Sequence, residues 1–186
     1  MTTRKIILGF AGEIASGKGT AAKYLVERHG AATYRFSTML RDVLRRLHLP
    51  EDRITIQKLS TWLRKEFGED VMAKVMFEDA KGDAHMLVVI DGVRRLQDVK
   101  YLREIPEFKL CYISAPMKMR YERLVLRGEN ADDKTKTYQQ FEKDHEGEPE
   151  LEIAKLEAFA EEVIDNSGTL PELYRALDTI LKKYEE

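Results

Sequence analysis

The stretch GFAGEIASGKGTAAKYL, Gly9 to Leu25, constrains this chain more than any other. It passes from an apolar run through a glycine-rich turn into helix-forming sequence. Its core, GEIASGKGT from Gly12 to Thr20, fits G-x-x-x-x-G-K-[ST], except that Gly19 takes the first hydroxyl position and Thr20 follows. Glycine reaches backbone angles closed to other residues, so successive N–H groups from Gly12 through Ala15, Ser16, Gly17, Lys18 and Gly19 can turn inward around an anion. A helix opening directly behind such a turn aims its positive dipole end at the same point. The expected occupant is a string of phosphates, with Lys18 reaching the β- and γ-groups and a hydroxyl available to Mg²⁺. Because Gly19 lacks that hydroxyl, the metal role falls to Thr20 or to water.

The rest of the chain repeats the alternation. KIILGF (5–10), ATYRF (32–36), MLVVI (86–90), KLCYIS (109–114) and EVI (162–164) read as strands, the second the weakest. The central runs lack polar alternation, as strands do when helices cover both faces of a parallel sheet. Helical patterns lie between them: 19–29, a helix capped by Ser37 and carrying Leu40, Val43, Leu44 and Leu47, two more on either side of Gly68, 117–126 and 170–184. Strand–helix alternation with right-handed crossovers gives an α/β fold. MLVVIDGVRR ends its strand in Asp91, where an acid beside the phosphate strand can hold a metal's water shell or accept a proton.

At 186 residues the chain has the length of one domain. With 31 basic and 33 acidic residues, its near-balance of charge argues against a dedicated nucleic-acid binder. The solitary Cys111 cannot form an internal disulfide and reads as a small buried hydrophobe, which points to a reducing compartment. No run approaches the roughly 20 apolar residues that cross a bilayer, and a cytoplasmic protein is expected. The four histidines show no metal-ligand spacing, while Trp62, Phe67, Met72, Met76 and Met86 read as packing residues. Gly128 to Glu152 is almost wholly polar, which suits a solvated surface segment or a mobile lid.

Arginine placement sorts the functions that share such a loop, since phosphoryl transfer needs positive charge around the moving group. Arg41 lies early in the second helix, Arg94 and Arg95 follow Asp91, and Arg120, Arg123 and Arg127 precede the polar segment, the last two sharing a face. Arg45, Arg46, Arg53 and Arg103 read as solvated charges, and the plain reading of Arg120 is a pair with Glu104 or another surface acid. Glu13 is unusual inside an anion loop, although side chains at the x positions can point away.

With these pieces in place, the chain resembles the P-loop nucleoside monophosphate kinase superfamily, most of all the branch of deoxynucleoside monophosphate kinases and dephospho-CoA kinases. The resemblance is carried by GEIASGKGT, FSTMLRDVL, VVIDGVRRLQDVKYL, APMKMRYERLVLRGENADDKT and VIDNSGTLPELY. It implies a P-loop NTP hydrolase fold with a five-stranded parallel sheet, a helical acceptor region over about 37–82 and a lid over about 128–150. It implies ATP on Lys18 and the loop amides, Thr20 and Asp91 near Mg²⁺, and an acceptor gripped by Arg41, Arg94 and Arg64. It also implies that Arg123 and Arg127 close over the donor and that Asn166 and Gly168 border the adenine.

The expected activity is transfer of the γ-phosphoryl of Mg-ATP to a small molecule, a nucleoside or deoxynucleoside monophosphate, with no membrane or nucleic-acid partner. The DGVRR arginines favour a phosphate-bearing acceptor over dephospho-CoA, on which Asp91 would serve as base for a hydroxyl. A nucleotide-binding regulator or slow ATPase is the reading from another class; it would leave the acceptor-side arginines without a purpose.

Overall fold

The computed structural model describes residues 4–128, 133–145 and 148–185. Five strands, β1 (Ile6–Ala11), β2 (Ala32–Arg35), β3 (Leu87–Val93), β4 (Phe108–Ser114) and β5 (Glu162–Asp165), pair in parallel in the order β2-β3-β1-β4-β5. Parallel pairing forces a crossover between successive strands, and helices supply it. α1 (Lys18–His29) follows β1, and α2 (Phe36–Arg46), α3 (Arg53–Phe67) and α4 (Val71–Gly82) separate β2 from β3. α5 (Leu96–Lys100) follows β3. α6 (Met117–Arg127), α7 (Tyr138–Asp144) and α8 (Glu148–Lys155) lie between β4 and β5, and α9 (Leu170–Glu185) follows β5.

The central strand shows why the apolar runs lack alternation. Leu8 and Phe10 face one core with Ala21 and Leu25 of α1 and Leu173 and Leu177 of α9. Ile7 and Ala11 face the other, with Met76, Ile90, Val99, Leu102, Leu110 and Leu156. Residue direction still alternates along β1, but both directions lead to a core. Cys111 is fully buried, and burial pushes its thiol pKa well above the usual range, in keeping with a packing role.

Several expectations need correcting. Trp62 and Phe67 are 52% and 61% exposed and meet edge-to-face at 5.6 Å on the outer side of α3, so they are not core. Met86 is also exposed: it sits just before β3, ahead of the first buried position, Leu87, whereas Met72 and Met76 are buried. Ser37 does not cap α2; Arg35 holds the cap position, and the helix starts at Phe36 because β2 runs into it without a turn. β3 continues past Ile90 through Asp91 to Val93, with a register shift opposite Phe10 and Ala11 that accommodates Gly92. Of the polar segment, 129–132 and 146–147 lie outside the described residues; 133–137 form a turn ahead of α7, α8 begins at Glu148, and Asp133 and Phe141 are buried.

Leu177→Ala, on the face of α9 against β1, removes a fully buried side chain far along the helix from the phosphate loop. The expected cost is about 2–5 kcal/mol, read as a lowered urea midpoint with an unchanged m-value.

Candidate functional site

The loop from Gly12 to Gly17 leaves the C-terminal end of β1 and delivers the chain into α1. Its glycines answer to specific neighbours. Gly12 has φ 139°, and a Cβ there would lie 2.2 Å from the Ile113 carbonyl oxygen of β4. Gly17 has φ 111°, and a Cβ there would lie 2.2 Å from the Asn166 amide nitrogen. Ala15 takes a left-handed φ of 59° without being glycine, a conformation worth about 1–3 kcal/mol of strain. Lys18 folds back over the turn and donates to the carbonyls of Gly12 at 2.5 Å and Glu13 at 2.9 Å. The N-terminus of α1 has no side-chain cap and no acidic residue in its first turn, so its amide groups present uncompensated positive charge.

Two side chains from distant elements brace this loop. Asn166, buried after β5, donates its amide to the Ser16 carbonyl at 2.7 Å, and Arg123 of α6 donates Nη2 to the Asn166 carbonyl at 2.8 Å. Two buried polar atoms beside the loop have no hydrogen-bond partner among the described residues: Ser16 Oγ and Arg123 Nη1. Gly168 lies in the exposed turn leading to α9, packed against Glu172, and Arg127 stands exposed at the end of α6.

A third brace is one that sequence reasoning missed. Arg120 is 2% exposed, and Glu104 is not its partner. Its guanidinium donates Nη2 to Glu13 Oε1 at 3.1 Å, Nε to the Ala115 carbonyl at 3.0 Å and Nη1 to the Ile14 carbonyl at 3.4 Å. Nη1 also lies 2.6 Å from Nε2 of His145, at the end of α7, while His145 Nδ1 lies 2.7 Å from the Phe141 carbonyl. An arginine can only donate, so His145 accepts at Nε2 and donates from Nδ1, which makes it the neutral tautomer. The acid inside the anion loop thus faces an arginine, and the same arginine joins the loop to α7.

On the other side of β1, the end of β3 carries Asp91, which is buried and register-paired with Arg35 on β2; Arg35 Nε lies 2.8 Å from Asp91 Oδ2. Past Gly92, the buried Asp98 carboxylate accepts from the backbone amides of Arg94 and Arg95, both at 3.0 Å, and so fixes the turn that projects their side chains. Burial pushes the Asp98 carboxyl pKa up, against the pull of those amides. Arg64, half-buried at the end of α3, donates to Ser60 Oγ at 2.8 Å. Burial lowers its guanidinium pKa, and the like charge of Arg95 adds to the effect. Among the described residues the Arg94 side chain makes no hydrogen bond or ion pair. Arg41 instead donates to the Glu51 carbonyl at 3.0 Å. Gly19 and Thr20 are both exposed at the start of α1.

The AAA domain family, AAA_17, matches residues 11–140, which contain the loop, Asp91 and the arginines of α6. A UPF0200 protein of Thermococcus gammatolerans is 30% identical over 185 residues, covering 96% of this chain and 93% of its own length. Shikimate kinase from Bacteroides thetaiotaomicron superposes with a TM-score of 0.55 at 13% identity, covering 97% of this chain and 99% of its own. A gluconokinase from Sinorhizobium meliloti superposes with a TM-score of 0.57 at 14% identity, covering 98% and 94%. The arrangement shared with these structures is the P-loop NTP hydrolase fold.

Arg120→Ala leaves Glu13 and His145 facing a void in place of a guanidinium. Loss of one partner from such a buried pair is expected to cost about 3–5 kcal/mol in urea unfolding. Lys23→Ala, in an exposed pair with Glu27, should leave the midpoint nearly unmoved.

Proposed function

We propose that this chain, which belongs to the AAA_17 family of AAA domains and to the UPF0200 proteins, is an ATP-dependent kinase of a small phosphorylated molecule, a nucleoside or deoxynucleoside monophosphate. The observation that carries this reading is a second cationic centre across β1 from the phosphate loop. The half-buried Arg64 feels the like charge of Arg95, whose acid neighbour Glu69, 3.7 Å away, is itself largely exposed, and Arg94 leaves the same Asp98-held turn without a side-chain partner among the described residues. Half-burying a guanidinium next to another is costly unless an anion joins them. An acceptor phosphate, gripped by planar bidentate donors, answers that cost.

In this reading the loop amides, Lys18 and the α1 N-terminus hold the donor's phosphates, and the buried Arg123 Nη1 and Ser16 Oγ meet ligand oxygens. Arg127 closes over the same ligand, and Asn166 and Gly168 stand at the adenine side, Asn166 also holding the loop's shape. Residues 37–82 form the acceptor region, with Arg41 at its rim, and about 128–150 the lid, α7 being tied to the loop through Arg120. Asp91 and Thr20 offer the hard oxygen donors that Mg²⁺ prefers, so the donor set suits it; bound there, the ion would offset phosphate charge. A phosphate acceptor is already a competent nucleophile, so the protein's work is alignment and charge stabilisation. A hydroxyl acceptor such as dephospho-CoA would need Asp91 as its base, a role that a phosphate acceptor does not require.

ADP release from Mg-ATP, measured against a panel of nucleoside and deoxynucleoside monophosphates with dephospho-CoA and an acceptor-free control, tests the reading. A large rise with one nucleotide is expected. Turnover indifferent to every acceptor would replace the kinase with a regulator or slow ATPase. Lys18→Ala should lower turnover at least about a hundredfold with the fold intact. Arg94→Ala should lower kcat/KM for the acceptor about tenfold or more while ATP affinity stays within about twofold.

A further inference from the structure

Arg35 belongs to no motif, yet it touches Asp91 and borders Gly19 of the phosphate loop. Its Nε is on Asp91 Oδ2 at 2.8 Å, and its Nη2 is the nearest atom to the open side of Gly19, 3.8 Å from where a Cβ would stand. Gly19 is the position at which the loop pattern carries a hydroxyl. One guanidinium therefore stands beside both the strand-end carboxylate and the loop position that lacks its hydroxyl. Its setting is asymmetric: the Arg35 side chain is 53% exposed and the Asp91 side chain 11%. The arginine can leave at little cost, whereas the carboxylate cannot be left without a positive charge beside it. There is room to leave into, because Arg35 borders an open groove of about 200 Å³ lined also by Gly19, Ala22, Val26, Thr33 and the ion-paired Lys23 and Glu27.

We infer that Arg35 is a built-in counter-cation for Asp91, and that it competes with a divalent cation for that carboxylate. In the absence of nucleotide it neutralises Asp91 and keeps a lone metal ion from being held there. When a nucleotide's phosphates supply further oxygens, the ion displaces the guanidinium. The exchange is one of charge partners only; no covalent bond is made or broken. Metal affinity is thereby made conditional on nucleotide, and the departing arginine stays beside the start of α1, near the phosphates. This rests on the loop being a nucleotide site.

The test is a Mn²⁺ titration of wild type and Arg35→Gln, with free Mn²⁺ read by its electron paramagnetic resonance signal, with and without saturating ADP. ADP binding in EDTA is measured separately by calorimetry. Arg35→Gln should tighten Mn²⁺ about three- to tenfold, the scale of losing a partly exposed competitor, and more without ADP than with it. On an Asp91→Asn background the same substitution should change nothing. An Arg35→Gln protein whose Mn²⁺ affinity is unchanged or weaker, while ADP still binds in EDTA, overturns the competition and leaves the nucleotide site standing. Failure of wild type to bind ADP at all overturns the nucleotide reading, and this inference with it.

Discussion

The close approach of Gly12 to the Ile113 carbonyl is the constraint from which the functional end of this protein is built. β1 and β4 stay paired as far as Ala11 and Tyr112, and the chain must then turn at once over the top of β4. Only a residue without a Cβ fits 2.2 Å from that oxygen and takes φ 139°. The turn that results aims the Gly12 and Glu13 carbonyls at Lys18 and the Ser16 carbonyl at Asn166. Loop conformation is therefore set by contacts to β4 and to the segment after β5, strands that flank each other on one side of the sheet. Pre-organisation of this kind is what lets backbone amides stabilise charge without first reorganising.

The same economy explains Glu13, which as a charge alone would oppose an anion. Paired with the buried Arg120, its charge is offset, and the loop becomes one corner of a network that reaches α7. His145 accepts from Arg120 at Nε2 and donates from Nδ1 to the Phe141 carbonyl, so its ring passes the connection from the loop into α7. Among the described residues the polar segment is thus attached to the loop through Arg120 and His145, with Phe141 and Asp133 buried beneath it.

How much of this the sequence disclosed follows from the range of the interactions. The strand–loop–helix unit is local, so its pattern could be read directly, as could the five strands and the break at Gly68. Arg123 and Asn166 emerged through resemblance to a family; their mutual hydrogen bond spans 43 positions and leaves no local trace. Arg120 and Glu13, 107 apart, and Arg35 and Asp91 were beyond pattern reading because each pair exists only once the strand order is known. Trp62 and Phe67 misled for the opposite reason: aromatic residues at helical spacing imply a buried face, but among the described side chains of α3 only Ser60 is buried. That helix is held at its ends by the Asp52 cap and by the Arg64–Ser60 contact, and its aromatic pair covers itself instead of a core.

The charge arrangement has a common logic. Lys18 rests on loop carbonyls, Arg35 on a carboxylate, and Arg120 on a loop acid, so these cations of the site are each held on oxygen atoms of the loop or of the strand beside it. Lys18 and Arg35 are held near the surface and can exchange partners, whereas Arg120 is sealed in. In the proposed reading, a phosphate at the α1 N-terminus would compete with these oxygens for Lys18 and Arg35 and would leave the buried Arg120 in place. Binding can thus rearrange the two mobile cations while the frame that positions them stays fixed. It follows that affinity for the phosphates and rigidity of the loop are set by different residues.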